Sequence, residues 1–162
     1  MRIDEKIQAA IIVVLLGYAV LTAAPIILGD RIVEPFSELG VLGPNMKLGD
    51  YLREVVAGEE VRFYIYLGNH EGVPTYYRIL VKEGDRFMNV SDTEPYPGVS
   101  INNLERLLEN ESNYTRPVTI SMREPGLNRR LVFELHKYDA DSRSFVYDGI
   151  WTQLWLNVTE PS

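Results

Sequence analysis

An all-β antiparallel sandwich behind a single N-terminal transmembrane helix is the fold class this sequence predicts. Three observations carry the prediction. Residues 7–29 form a run of 23 without a charged side chain. Residues 61–67 and 75–81 alternate apolar and polar side chains with the period of two that marks a half-buried strand. From there to the C-terminus, turn signals punctuate short apolar runs, and no helical periodicity is sustained.

The first element is the apolar run. At 1.5 Å per residue a helix over residues 7–29 reaches about 35 Å, enough to cross a hydrocarbon core of about 30 Å. A cleaved signal peptide is the first alternative. Its best exit is Thr22-Ala23-Ala24, but Pro25 would follow the cut and the apolar run continues through Ile26, Ile27 and Leu28. A buried core helix would carry a polar face, whereas here Gln8, Tyr18 and Thr22 alone interrupt the apolar surface. The reading is an anchor over residues 7–29, a cytoplasmic stub over 1–6 and an extracellular β-domain over 30–162.

Charge supports that division. The chain carries a formal −7, and Arg2 and Lys6 balance Asp4 and Glu5, so the whole excess lies in residues 30–162. An acidic domain of this kind argues against nucleic acid and anionic lipid as its partners, since their phosphates would repel it. There is no cysteine, which removes disulfides, thiolate catalysis, thiolate-bound zinc and iron–sulfur clusters. The domain must hold itself together by packing.

After the anchor, residues 32–43 read as a first strand, placed at a sheet edge or start by Pro35. Turn signals follow at Gly43-Pro44, Gly49-Asp50 and Ala57-Gly58. Residues 61–68 are the clearest strand, with Val61, Phe63, Ile65 and Leu67 inward and Arg62, Tyr64 and Tyr66 outward. Residues 75–82 alternate again through Tyr77, Ile79 and Val81, and the two runs read as a hairpin joined across Asn69-His70-Glu71-Gly72. Residues 86–90 read as a short strand and 92–98 as a Pro-rich loop. Residues 102–109 read as a helix turn or an irregular strand. Strands over 117–122, 130–138 and 151–159 complete the pattern, the last with Leu154, Leu156 and Val158 inward and Trp155 outward. Seven or so short strands in about 130 residues suggest an immunoglobulin-like sandwich, without the Cys–Trp–Cys signature of true immunoglobulin domains.

The strongest functional signal is a set of four N-x-S/T sequons, at Asn89, Asn110, Asn113 and Asn157. Composition alone predicts about 0.8 such matches, so a glycosylated outer-surface domain is the reading, with the N-terminus inside and the C-terminus outside. His70 and His136 lie far apart and neither belongs to an HExxH or H-x-H motif, so no metal site is expected. No GxSxG, phosphate-binding glycine loop or assembled Ser/His/Asp set is present, and neither catalysis nor a cofactor is expected. Tyr64, Tyr66, Tyr76 and Trp155 fall opposite the inward faces of their strands. A row of them would stack on sugar rings or form a protein contact.

Several stretches together resemble an archaeal family of membrane proteins described as a domain of unknown function, number sixteen-sixteen. They include Glu34-Pro35-Phe36-Ser37-Glu38-Leu39, Leu42-Gly43-Pro44, Gly49-Asp50-Tyr51 and residues 56–60. The Asn69-His70-Glu71-Gly72 turn, residues 110–118, 126–135 and 155–159 complete the set. The chain departs from the family pattern where Leu52 follows Tyr51 in place of a proline, and in having one apolar span where longer members have several. The resemblance implies an archaeal cell-surface β-domain and carries no catalytic residue across.

These observations converge on a single-pass surface glycoprotein that acts as a non-catalytic interaction or accessory subunit of a membrane or cell-envelope assembly. Its partners would be membrane lipid through residues 7–29 and other membrane or envelope proteins. Two alternatives stand beside it: a carbohydrate-binding module reading surface glycans through Tyr64, Tyr66 and Trp155, and a filament subunit donating residues 32–43 to a neighbour's sheet edge.

Overall fold

A computed structural model of the chain describes residues 3–28 and 34–161, with helix side chains described at 7, 8, 10–19 and 22. It divides into two compact units, Met1–Glu34 and Pro35–Ser162. The expected membrane exit at Asp30 and Arg31, and the start of the first strand at Ile32, lie outside the described residues.

The first unit is one helix, α1 (Ile3–Leu28), which takes in Ile3, Asp4, Glu5 and Lys6 from the expected stub. Consecutive residues Ile11, Ile12, Val13, Val14, Leu15 and Leu16 are all exposed, so the apolar surface runs around the helix and is not a stripe. Among the described residues no helix is long and apolar enough to cross a membrane. The span expected over 7–29 runs past the side chains that are described.

The second unit is a sandwich of eight strands: β1 (Phe36–Leu42), β2 (Glu54–Val56), β3 (Glu60–His70), β4 (Thr75–Gly84), β5 (Val99–Leu108), β6 (Ser112–Ser121), β7 (Gly126–Asp139) and β8 (Ser144–Thr159). One sheet has the order β1-β3-β6 and the other β2-β8-β7-β4-β5. All pairings are antiparallel except β2 with β8, which is parallel. The inward faces of both sheets close one core, in which Phe63, Ile65 and Leu67 of the first sheet meet Tyr77, Ile79, Leu131, Phe133 and Leu135 of the second. Such interdigitation of alternate residues is what a period-two pattern on both sheets produces.

Several expectations change here. Residues 61–68 and 75–82 are strands but not a hairpin: β3 pairs with β1 and β6, while β4 pairs with β5 and β7. The chain crosses between sheets through a turn built on Asn69, whose fully buried side chain donates to the carbonyls of Val73, Leu108 and Glu109. Its Oδ1 accepts from the Glu71 N–H and the Tyr77 hydroxyl. These five bonds fix a corner and not a two-stranded ribbon. Residues 86–90 are loop, not strand. Of the two readings of residues 102–109 the irregular strand holds: residues 102–108 are extended within β5, whose pairing to β4 shifts register at Val81/Lys82 and overrides the helical leucine spacing. Residues 54–56 form a short strand that went unrecognised, and its parallel pairing departs from an all-antiparallel sandwich. Strand β1 does lie at a sheet edge, paired within its own chain to β3.

Candidate functional site

The outer face of the five-stranded sheet carries most of the polar and aromatic chemistry of the described residues. Partners across a ladder share a face, so the registers place Arg130 with Trp155, Glu134 with Trp151, His136 with Tyr147 and Tyr138 with Phe145 along β7 and β8. From β4 come Tyr76, Arg78 and Lys82.

The middle of this face is covered by residues 85–98, the connection between β4 and β5. Under it Glu134 is fully buried. Its carboxylate meets the Lys82 ammonium at 2.8 Å and accepts from the Tyr96 N–H, with His136 Nε2 at 3.4 Å. Lys82 also donates to the Tyr96 carbonyl at 2.8 Å. Burial pushes the Glu134 carboxyl up, but His136, Lys82 and the Tyr96 N–H more than offset it, and the net direction is down. The Tyr147 hydroxyl donates to the Ser91 carbonyl at 2.6 Å. Burial and nearby carboxylates, Glu134 first among them, push that phenol up to about 12, so it stays a donor. Gly149, at φ +76°, lets the covering segment sit down, because a Cβ there would stand 2.6 Å from the Asp92 carbonyl oxygen. This centre ties loop to sheet.

At one end of the face Tyr76, Tyr138 and Phe145 form an aromatic cluster with ring centroids 5.1–6.1 Å apart. The Arg78 guanidinium lies 3.9 Å from the Phe145 ring centroid and pairs with Glu105 at 2.7 Å. Leu107, opposite Tyr76 in the ladder, is exposed. At the other end Arg130 stands over Trp155, its guanidinium carbon 4.3 Å from the ring centroid. Trp155 is 41% exposed. Eight residues of β7 separate Arg130 from Tyr138, about 27 Å at strand rise.

The candidate aromatics therefore do not form one row. All four point away from the core, but Tyr64 and Tyr66 lie on the three-stranded sheet, and Tyr76 and Trp155 lie at opposite ends of the other. Tyr66 donates to Glu38 at 2.8 Å. Among the sequon residues, Asn89, Asn110 and Asn113 are exposed and Asn157 is half-buried. Asn110 Oδ1 accepts from the Gly72 N–H and Asn157 Oδ1 from the Asn128 N–H. His70 closes β3, stacked on Phe36 at 4.6 Å and bonded to Glu111 at 2.9 Å. Among the described residues no three His, Asp or Glu side chains cluster as a metal would need.

A family model described as a domain of unknown function, DUF1616, matches residues 31–157. The chain belongs to the DUF1616 family. A search of the curated proteins finds no significant match. The DUF1616 domain is similar in fold to the CARDB domain of a Pyrococcus furiosus protein, crystallised in complex with di-metal ions. The TM-score is 0.51 at 10% identity, over 82% of this chain and 100% of that one. A solution structure of the same CARDB domain has a TM-score of 0.46 at 10% identity, over 79% of this chain and 98% of that one. A β-glucosidase from Listeria innocua in complex with glucose has 0.47 at 11%, over 77% of this chain but 16% of that one. Neither of these two adds to the fold assignment.

Sequence reasoning reached Tyr76 and Trp155 but missed their companions Arg78, Tyr138, Phe145 and Arg130, which join them only through ladder register. Glu134 left one trace in the sequence, a carboxylate between Phe133 and Leu135 in an apolar strand.

Proposed function

We propose that this DUF1616 protein is a single-pass membrane glycoprotein of the archaeal cell surface. Its β-domain makes non-catalytic contacts as an accessory subunit of a membrane or envelope assembly. The observation that carries the contact is the cluster of exposed Tyr76 and Tyr138 on the half-buried Phe145, with Arg78 over that ring, since tyrosine and arginine dominate the energetic centres of protein interfaces. Membrane attachment rests on the uncharged run over residues 7–29. The surface location rests on the four sequons. No Gly/Ser-rich linker separates the run from the domain in sequence, so the domain works within short reach of the bilayer.

The test is extraction from the source membrane in mild detergent, sizing, and mass spectrometry of co-purifying chains. A larger species with stoichiometric partners is expected, and Tyr138→Ala combined with Phe145→Ala should release them while the chain stays in the membrane fraction. A lone chain in the native extract refutes the subunit reading.

A further inference from the structure

We infer that the groove beside Trp155 is a binding site for a neutral pyranose sugar. The inference does not depend on membrane attachment or on a partner protein. The groove has a volume of about 630 Å³ and runs between residues 49–53 and the β8 residues Gln153, Leu154 and Trp155. That is within the range of roughly 300–1,000 Å³ usual for small-molecule sites.

Its geometry is set before any ligand arrives. Trp155 takes Arg130 from β7 on one side. In the sheet order the groove lies on the other side of β8, toward β2. The guanidinium thus braces the ring and leaves indole surface to the groove. The opposite wall is a tight loop. Gly43 N–H donates to the Lys47 carbonyl and Met46 N–H to the Gly43 carbonyl, both at 2.9 Å. The Tyr51 hydroxyl donates to the Val41 carbonyl at 2.7 Å, and the Asn157 N–H to the Arg53 carbonyl at 2.7 Å. Asp50 sits at φ +52°, a conformation that costs a non-glycine residue strain and clusters at binding sites.

The chemistry of the lining selects the ligand. A pyranose has an apolar face of C–H groups and an equatorial rim of hydroxyls. Trp155 and the exposed Leu52 offer the matching apolar surface. Asp50 and Arg53 offer an acceptor and a donor for hydroxyls, and their charges cancel, which favours a neutral sugar over an anion or a cation. Gln153 lies between them on the floor of the groove.

The experiment titrates the full-length protein in a detergent without sugar headgroups. The probes are glucose, mannose, galactose and N-acetylglucosamine, each as monosaccharide and trisaccharide, followed by calorimetry and tryptophan fluorescence. Saturable binding to at least one of them is expected, with a Kd on the order of 1 mM or tighter. Trp155→Ala should weaken it by roughly tenfold or more. Arg53→Met, which keeps the backbone bond to the Asn157 N–H, should weaken it while the circular dichroism stays unchanged. Val99→Ala, exposed on β5 at the opposite edge of the sheet, should leave it intact. No saturable binding to any probe below about 50 mM overturns the inference. So does binding that Trp155→Ala leaves unchanged.

Discussion

Removing the Glu134 side chain tests whether the covering loop is held by an electrostatic centre. Glu134→Ala breaks the 2.8 Å pair with a Lys82 that is itself largely buried and leaves the Tyr96 N–H without its acceptor. Breaking a buried pair from one side costs about 3–5 kcal/mol. The β-domain spans Pro35–Ser162, 128 residues, which at about 2.1 cal/mol/K per residue gives an unfolding entropy near 0.27 kcal/mol/K. The expected loss in Tm is therefore roughly 11–19 °C. Lys82→Met leaves a carboxylate buried with Tyr96 and His136 and should cost about 2–4 kcal/mol. The double variant Lys82→Met/Glu134→Ala removes both charges and should fall short of the summed losses by about 2–3 kcal/mol. Thermal unfolding followed by near-UV circular dichroism reads all three, since Trp151 lies opposite Glu134 in the ladder. Losses that add to within about 0.5 kcal/mol would show that the two charges are not coupled and refute the reasoning.

Gly149→Ala should cost about 2–3 kcal/mol, from a left-handed backbone and a Cβ aimed at the Asp92 carbonyl. Limited trypsin digestion should then cut faster at Arg86; an unchanged rate would separate Gly149 from loop docking. The imidazole of His70 should titrate above its usual value because its bond to Glu111 favours the charged form, with the Glu38 charge adding to it. NMR of the two histidines checks this, and Glu111→Gln should bring His70 back down. Acid should destabilise the domain through Glu134 and Glu71. Burial pushes the Glu71 carboxyl up, but Lys137 and Ser37 outweigh it and the net direction, as for Glu134, is down. Carboxyls held low contribute stability that is complete above their unfolded values and is lost as pH falls through their folded ones. Asp148 runs the other way, since burial holds its carboxyl up and protonating it favours the fold. Denaturant midpoints between about pH 6 and 3 should drop, and Glu134→Gln should flatten part of that drop.

Alternation was legible wherever a strand buried one face. Val61, Phe63, Ile65 and Leu67 turn inward and Tyr64, Tyr66, Tyr76 and Trp155 outward as the period of two requires. Which sheet a strand joins was not legible, because β3 and β4 would show the same alternation whether paired to each other or facing across the core. Strand β5 stayed open between helix turn and strand because Leu104, Leu107 and Leu108 repeat at helical spacing, yet only Leu108 is buried. Strand β2 is three residues long, too short to display a period, and its partner lies about a hundred residues away. The same distance hid the Trp155 groove, whose two walls come from opposite ends of the domain.

The parallel pairing of β2 with β8 also governs the order in which the domain can be completed. Glu54, Val55 and Val56 wait for Asn157, Val158 and Thr159, and β8 is not an edge but the link between β2 and β7. Closing so long a loop must precede any return from the contact, which makes such pairings late and slow. A chain emerging from the ribosome can therefore assemble β1, β3 and β6 first, but the five-stranded sheet stays open until the last sixteen strand residues arrive. A product that ends before β8 would leave the backbone edge of β7 unpaired and take Leu154, Leu156 and Val158 out of the core, so the last strand to be made completes sheet and core together.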